Sequence, residues 1–193
     1  MYKWLFIGLM SLWLVGCSER SWRTADTSEI QPPLDFSLVD EDGQAVEAED
    51  FLGKVTLVYF GYTYCPDVCP ITLARLAGTL NQLDDDVRED IQVLFISVDP
   101  ERDTPEVVKR YTNAFGPDFI GITGDLEEID ALTNRMRVTY EYEEPNQRGD
   151  YIVTHTSAVF AFDREGEAQF LIRDSHPISD AVADINRLVD ESE

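Results

Sequence analysis

A mixed α/β sheet with helices on both faces and an N-terminal β-hairpin is the architecture this sequence predicts. Three observations lead there. Two nearly continuous β-branched and aromatic runs, Lys54 to Tyr62 (KVTLVYFGY) and Ile91 to Val98 (IQVLFISV), suit strands buried on both faces. Each is followed by apolar residues at helical spacing. Near the end, two short apolar runs flank a turn signature and lead into a last amphipathic stretch. The length of 193 residues and the 44% apolar content suit one folded domain with a real core.

Element by element, the chain opens with an address. Lys3 precedes the apolar run Trp4 to Gly16, which is shorter than the roughly 20 residues that span a bilayer and reads as a secretory signal. It ends Leu14-Val15-Gly16-Cys17, a quartet that resembles the lipobox of bacterial lipoproteins, in which the cysteine is lipidated. Residues 1–16 are then a signal peptide, 17–33 a lipidated cysteine with a polar, aperiodic linker, and 34–193 the folded domain.

Leu34 to Val39 alternates apolar and polar before Asp40-Glu41-Asp42-Gly43, which predicts the N-terminal hairpin. After the first buried strand, Leu73, Leu76, Leu80 and Leu83 fall at helical spacing. After the second, Thr104 is placed as N-cap and Pro105 at the first position of a helix carrying Val107, Val108, Tyr111 and Phe115. Phe119 to Ile122 is a short apolar segment. Asp125 to Met136 reads as a helix with Leu126, Ile129, Leu132 and Met136 on one side. Ser157 to Phe162 and Ala168 to Ile172 flank Asp163-Arg164-Glu165-Gly166, a hairpin signature. Ile178 to Val189 closes the chain as a helix with Ile178, Val182, Ile185 and Val189 inward. A thioredoxin-like sheet fits this order, as do other three-layer folds.

Charge excludes some functions. Lys and Arg total 15 against 38 Asp and Glu, a formal net of −23. Nucleic-acid binding needs a basic face, so it is ruled out, as is polybasic binding to a lipid surface. With Cys17 assigned to lipid, two thiols remain, Cys65 and Cys69, in Gly61-Tyr62-Thr63-Tyr64-Cys65-Pro66-Asp67-Val68-Cys69-Pro70. This stretch follows the first buried strand, where open α/β sheets place their sites. Pro66 disfavours helix at Cys65, so both sulfurs should lie near a helix N-terminus, which favours thiolate, with Asp67 available as a cap. The pair can form a disulfide or bind a soft metal. Two sulfurs with one imidazole make a three-ligand set that suits Cu(I), or Cu(II) with added water, better than structural zinc with its four ligands. The chain has two histidines, His155 and His176. His176 sits in a turn sequence before the last helix and reads as structural.

GYTYCPDVCP, followed by Ser97 to Pro105 (SVDPERDTP) and then by YIVTHTSAVFAFD, resembles the Sco/SenC family, and the likeness runs from about Leu34 onward. The resemblance implies a thioredoxin-like, membrane-tethered protein outside the cytoplasm that binds copper through Cys65, Cys69 and His155. It implies a part in assembling the dinuclear copper centre of cytochrome c oxidase, with the copper-accepting subunit or another copper or thiol protein as partner. Two positions depart from the family pattern: Tyr64 stands where histidine is frequent, and Thr154 where aspartate often precedes the distal histidine. Asp99 follows a buried strand and is expected to face the same site as Cys65, orienting a ligand or shifting a thiol pKa; turn chemistry is the alternative. The acidic loop Glu141 to Asp150 is a solvated loop or a docking face for a basic partner.

Copper delivery by ligand exchange is the leading function. Thiol–disulfide exchange on partner cysteines, with Cys65 attacking, is the enzymatic alternative, but it leaves His155 without a role. A redox or copper sensor is not separated from delivery by sequence. Peroxidase chemistry is disfavoured because Tyr62 holds the position where peroxiredoxins carry threonine.

Overall fold

The computed structural model describes residues 21–192; the signal run, Cys17 and the segment to residue 20 lie outside the described residues. In chain order the elements are β1 (Ala25–Asp26), β2 (Ser37–Asp40), β3 (Ala45–Glu47), β4 (Val55–Gly61), α1 (Val68–Leu80), α2 (Asp85–Glu89), β5 (Ile91–Ser97), α3 (Pro105–Thr112), β6 (Phe119–Thr123), α4 (Leu126–Arg135), β7 (Tyr140–Tyr142), β8 (Val153–His155), β9 (Ala158–Phe162), β10 (Ala168–Arg173) and α5 (Ile178–Glu191). Eight strands form one sheet in the order β1-β10-β9-β4-β5-β6-β2-β3, and β7 pairs with β8 apart from it. β4, β5 and β6 are parallel; the remaining pairs are antiparallel. Among the described residues no helix is long and apolar enough to cross a membrane.

The continuous apolar run of β4 is explained by its central place: all of its residues are buried. Register puts Tyr59 beside Phe95 and Phe95 beside Gly121, so these three share a face with Gly61. Gly61 lies under Cys69 of α1 and Gly121 under Val108 of α3, and α1 packs on α5. Helices α1, α3 and α5 therefore cover this face. On the opposite face Phe60 meets Phe160 edge-on at 6.1 Å, and the Phe51 carbonyl accepts from Thr56 and Gln92. Helix α4 packs against β2.

The linker expectation for residues 17–33 fails from Trp22 onward. Trp22 is buried with its ring 4.8 Å from Phe170, and β1 extends the sheet along β10. The buried Asp184 carboxylate accepts from Arg23 N, Thr24 N and Thr24 Oγ1 at 2.8–3.0 Å. The packed domain thus begins by Trp22, not Leu34. A two-residue strand and a single aromatic anchor leave no periodic signal for sequence reading to find. Helix α4 also differs: Ile129, Leu132 and Met136 are buried, whereas Leu126, expected inward, is exposed.

Candidate metal centre

The site forms where β4 hands over to α1. Cys65 N donates to Tyr62 O at 3.2 Å, and helix begins only at Val68, as Pro66 requires of the residue before it. Asp67 occupies the N-cap position but its side chain makes no capping bond. The cap is a sulfur: Cys69 N donates to Cys65 Sγ at 3.3 Å. First-turn N–H groups have no partner within the helix, so the Cys65 sulfur sits on the positive end of α1.

One turn later Cys69 is fully buried. Its sulfur lies over Gly61, so close that a Cβ there would stand 2.9 Å from Sγ; glycine is needed to let the helix approach. Burial pushes the Cys69 thiol up to about 12, which keeps it protonated without a metal. Across from it, His155 Nε2 is 3.2 Å from Cys69 Sγ. Nδ1 of the same ring is 3.1 Å from Thr156 O, a bond it makes as the protonated nitrogen, leaving the Nε2 lone pair facing the sulfur. Burial lowers the His155 pKa and favours this neutral imidazole. Tyr59 and Tyr62 meet the imidazole edge-on at 6.0 and 5.9 Å and fix its plane.

Cys65, Cys69 and His155 each bring one ligand atom, all within 4.8 Å of one another. With metal–sulfur bonds of about 2.3 Å and a metal–nitrogen bond of about 2.0 Å, the ligand atoms of a trigonal site stand about 3.7–4.0 Å apart, so the set closes on an ion with changes in separation of under about an ångström. Both cysteines are free thiols. Two thiolates and a pre-oriented imidazole fit a soft, thiophilic ion.

Asp99 is near the site but not on it. It is fully buried, paired through one oxygen with Arg102 Nε, and accepts the Tyr151 hydroxyl on the other at 2.8 Å. The expected approach to Cys65 is replaced by an indirect link. The Arg102 guanidinium stacks 3.5 Å from the Tyr151 ring centre and lies 5.0 and 5.6 Å from those of Tyr64 and Tyr62. Arg102 also donates to Tyr151 O, which pins the segment leading into β8. Asp103 is buried as well: it accepts from Thr63 N, Thr63 Oγ1 and Ser97 Oγ at 2.6–2.8 Å, tying the loop before Cys65 to the end of β5. Sequence reading missed Arg102 and the tyrosines around it, since nothing local marks a cation placed among rings from two distant segments. Tyr64 is exposed, lying beside Arg102, and Thr154 is exposed too. His176 accepts from Arg173 N in the turn before α5, as expected of a structural histidine.

A family model described as SCO1/SenC matches residues 24–190. The chain belongs to the SCO1/SenC family. The human mitochondrial SCO1 homolog is 39% identical over 133 residues, which cover 68% of this chain and 44% of that relative, so the chain spans less than half its length. The solved structure of Bradyrhizobium japonicum ScoI with copper bound is 36% identical, with TM-score 0.73, covering 81% of this chain and 99% of that one. A SCO1/SenC family lipoprotein from Bacillus anthracis is 26% identical, with TM-score 0.68, covering 82% and 95%. The mixed sheet and helices expected from the sequence are the fold of these SCO1/SenC structures.

Proposed function

We propose that this protein is a copper carrier that holds the ion on Cys65, Cys69 and His155 and passes it to the dinuclear copper centre of cytochrome c oxidase during assembly. One observation carries the reading: His155 Nε2 turns its lone pair to Cys69 Sγ from 3.2 Å, beside a second thiol. The copper-bound ScoI relative and the family resemblance support it. Copper is cargo here, as Cu(I) or Cu(II), and three ligands leave it open to an incoming thiolate. Cys65 is the half-exposed sulfur through which a partner cysteine enters. His155 is the ligand easiest to release, because it is the one neutral donor beside two thiolates and it sits on the β7–β8 ribbon outside the main sheet. Oxidation to a Cys65–Cys69 disulfide switches the site off. Thiol–disulfide exchange alone gives His155 no part.

The reading extends to location. Residues 1–16 act as a signal peptide and Cys17 carries lipid, holding the domain at a bacterial membrane with its site facing the periplasm or the exterior. The lipoprotein relative supports this. Several acyl chains, at about 0.8 kcal/mol per buried methylene, suffice for stable anchoring.

Anaerobic Cu(I) titration of the reduced protein against a competing chelator tests the function. Tight one-to-one binding that Cys65→Ser abolishes and His155→Ala weakens is the expected result. Weak binding, or binding indifferent to His155, rejects the carrier and favours dithiol exchange.

A further inference from the structure

The hydroxyl of Tyr59 is an unexplained polar group beside the sulfur that copper would take. Tyr59 is fully buried in the centre of β4. A Cβ on Gly61 would stand 2.9 Å from Cys69 Sγ and 3.1 Å from Tyr59 Cε1, so the sulfur and the edge of the phenol ring flank the same glycine. Burial raises the Tyr59 pKa and the neighbouring Cys69 sulfur adds to the rise, as expected of a phenol facing that sulfur. Yet among the described residues Tyr59 Oη has no partner in hydrogen-bond geometry. A buried hydroxyl left unpaired is costly, and native structures keep few of them without a reason.

Thr72 and Ser157 are held by their hydroxyls to the Asp174 carboxylate, at 3.5 and 3.2 Å, and neither stands in hydrogen-bond geometry to Tyr59 Oη. Cys69 Sγ stands opposite His155 Nε2, and a thiol sulfur committed as donor is a weak acceptor. Copper would change this. Binding sends the Cys69 proton to solvent and leaves a thiolate, a charged acceptor for a donor already in place.

We infer that Tyr59 is a positioning residue of the copper site, donating its hydroxyl proton to the Cys69 thiolate in the loaded protein. The inference rests on the proposed copper site. The hydrogen bond draws electron density from the sulfur, which favours Cu(I) over Cu(II), since hydrogen bonding around a ligating cysteine tunes the copper potential. The unpaired hydroxyl of the metal-free form is thus a donor held ready for the cargo.

Tyr59→Phe in the full-length protein is the test, because it keeps the ring and removes only the hydroxyl. Cu(I) affinity should fall about ten- to a hundredfold, the range for a hydrogen bond to a charged group. The sulfur-to-Cu(II) charge-transfer band should move to longer wavelength and the copper potential should drop. Thermal stability of the metal-free protein should hold or rise. A merely structural hydroxyl, served by Thr72 or Ser157, gives the opposite pattern: a less stable metal-free protein with unchanged affinity and band, which overturns the inference. Proton NMR of the wild type adds a readout that needs no variant: Cu(I) loading should produce a slowly exchanging Tyr59 hydroxyl resonance, and its absence counts against the bond. Failure of the wild type itself to bind copper overturns the carrier reading and this inference together. Wild-type binding with an indifferent Tyr59→Phe overturns the inference alone.

Discussion

Gly61→Ala puts the smallest possible wedge under the site. The added Cβ would meet Cys69 Sγ at 2.9 Å, Phe95 Cε2 at 3.0 Å and Tyr59 Cε1 at 3.1 Å. Carbon contacts are comfortable from about 3.5 Å, so each neighbour must retreat by about half an ångström. None has room, since Tyr59, Cys69 and Phe95 are all fully buried. Overpacking of this kind costs about 1–3 kcal/mol, or roughly 3–10 °C in Tm for a domain of this size. The functional loss should be larger than the stability loss suggests. The sulfur is one of the surfaces pushed, and sites tolerate displacements of only about 0.5 Å. Cu(I) competition should therefore show at least a tenfold loss of affinity beside the thermal shift. Gly78→Ala is the matched control, because Gly78 lies within α1 and a Cβ there meets nothing within 4 Å; it should stabilise by about 0.5–1 kcal/mol and leave copper binding alone. A Gly61→Ala protein with wild-type Tm and wild-type affinity would refute the claim that close packing over this glycine sets the position of Cys69.

Two further outcomes follow from buried charge near the site. Arg102→Ala leaves the fully buried Asp99 without its cation and should cost about 3–5 kcal/mol in chemical denaturation, with much of that restored when Asp99→Asn is added. Burial raises the Asp103 pKa above its ordinary 3.8, so the folded state holds the proton more tightly than the unfolded chain. Stability from this group is full below the unfolded value and is lost as pH rises through the raised folded one; Asp103→Asn should flatten that acid-range slope in pH-dependent urea melts.

The legible parts of this protein were those written in contiguous residues. The run KVTLVYFGY marked β4, proline after Cys65 kept that residue out of α1, and the cysteine spacing marked a soft-metal or redox pair. The illegible parts depend on distant segments meeting. The aim of His155 is set by β8 pairing with β7, Tyr140 opposite His155, in strands of three residues each, too short for a periodic signal. Trp22 looked like linker because its partners, Phe170 and Arg187, lie almost 150 or more residues away. Asp99 was placed at the right end of the right strand, but its partners Arg102 and Tyr151 come from a turn and from the segment before β8, so its link to the sulfurs is indirect. Leu126 shows the limit of periodicity at a helix start, where the first turn overhangs the core.

X-ray absorption at the copper edge of the Cu(I)-loaded protein reads the donor set directly. Two sulfurs and one nitrogen around each copper are expected, with the nitrogen lost in His155→Ala and both sulfurs kept. A copper surrounded by nitrogen and oxygen alone, or a wild-type spectrum that His155→Ala leaves unchanged, would contradict the three-ligand site on Cys65, Cys69 and His155.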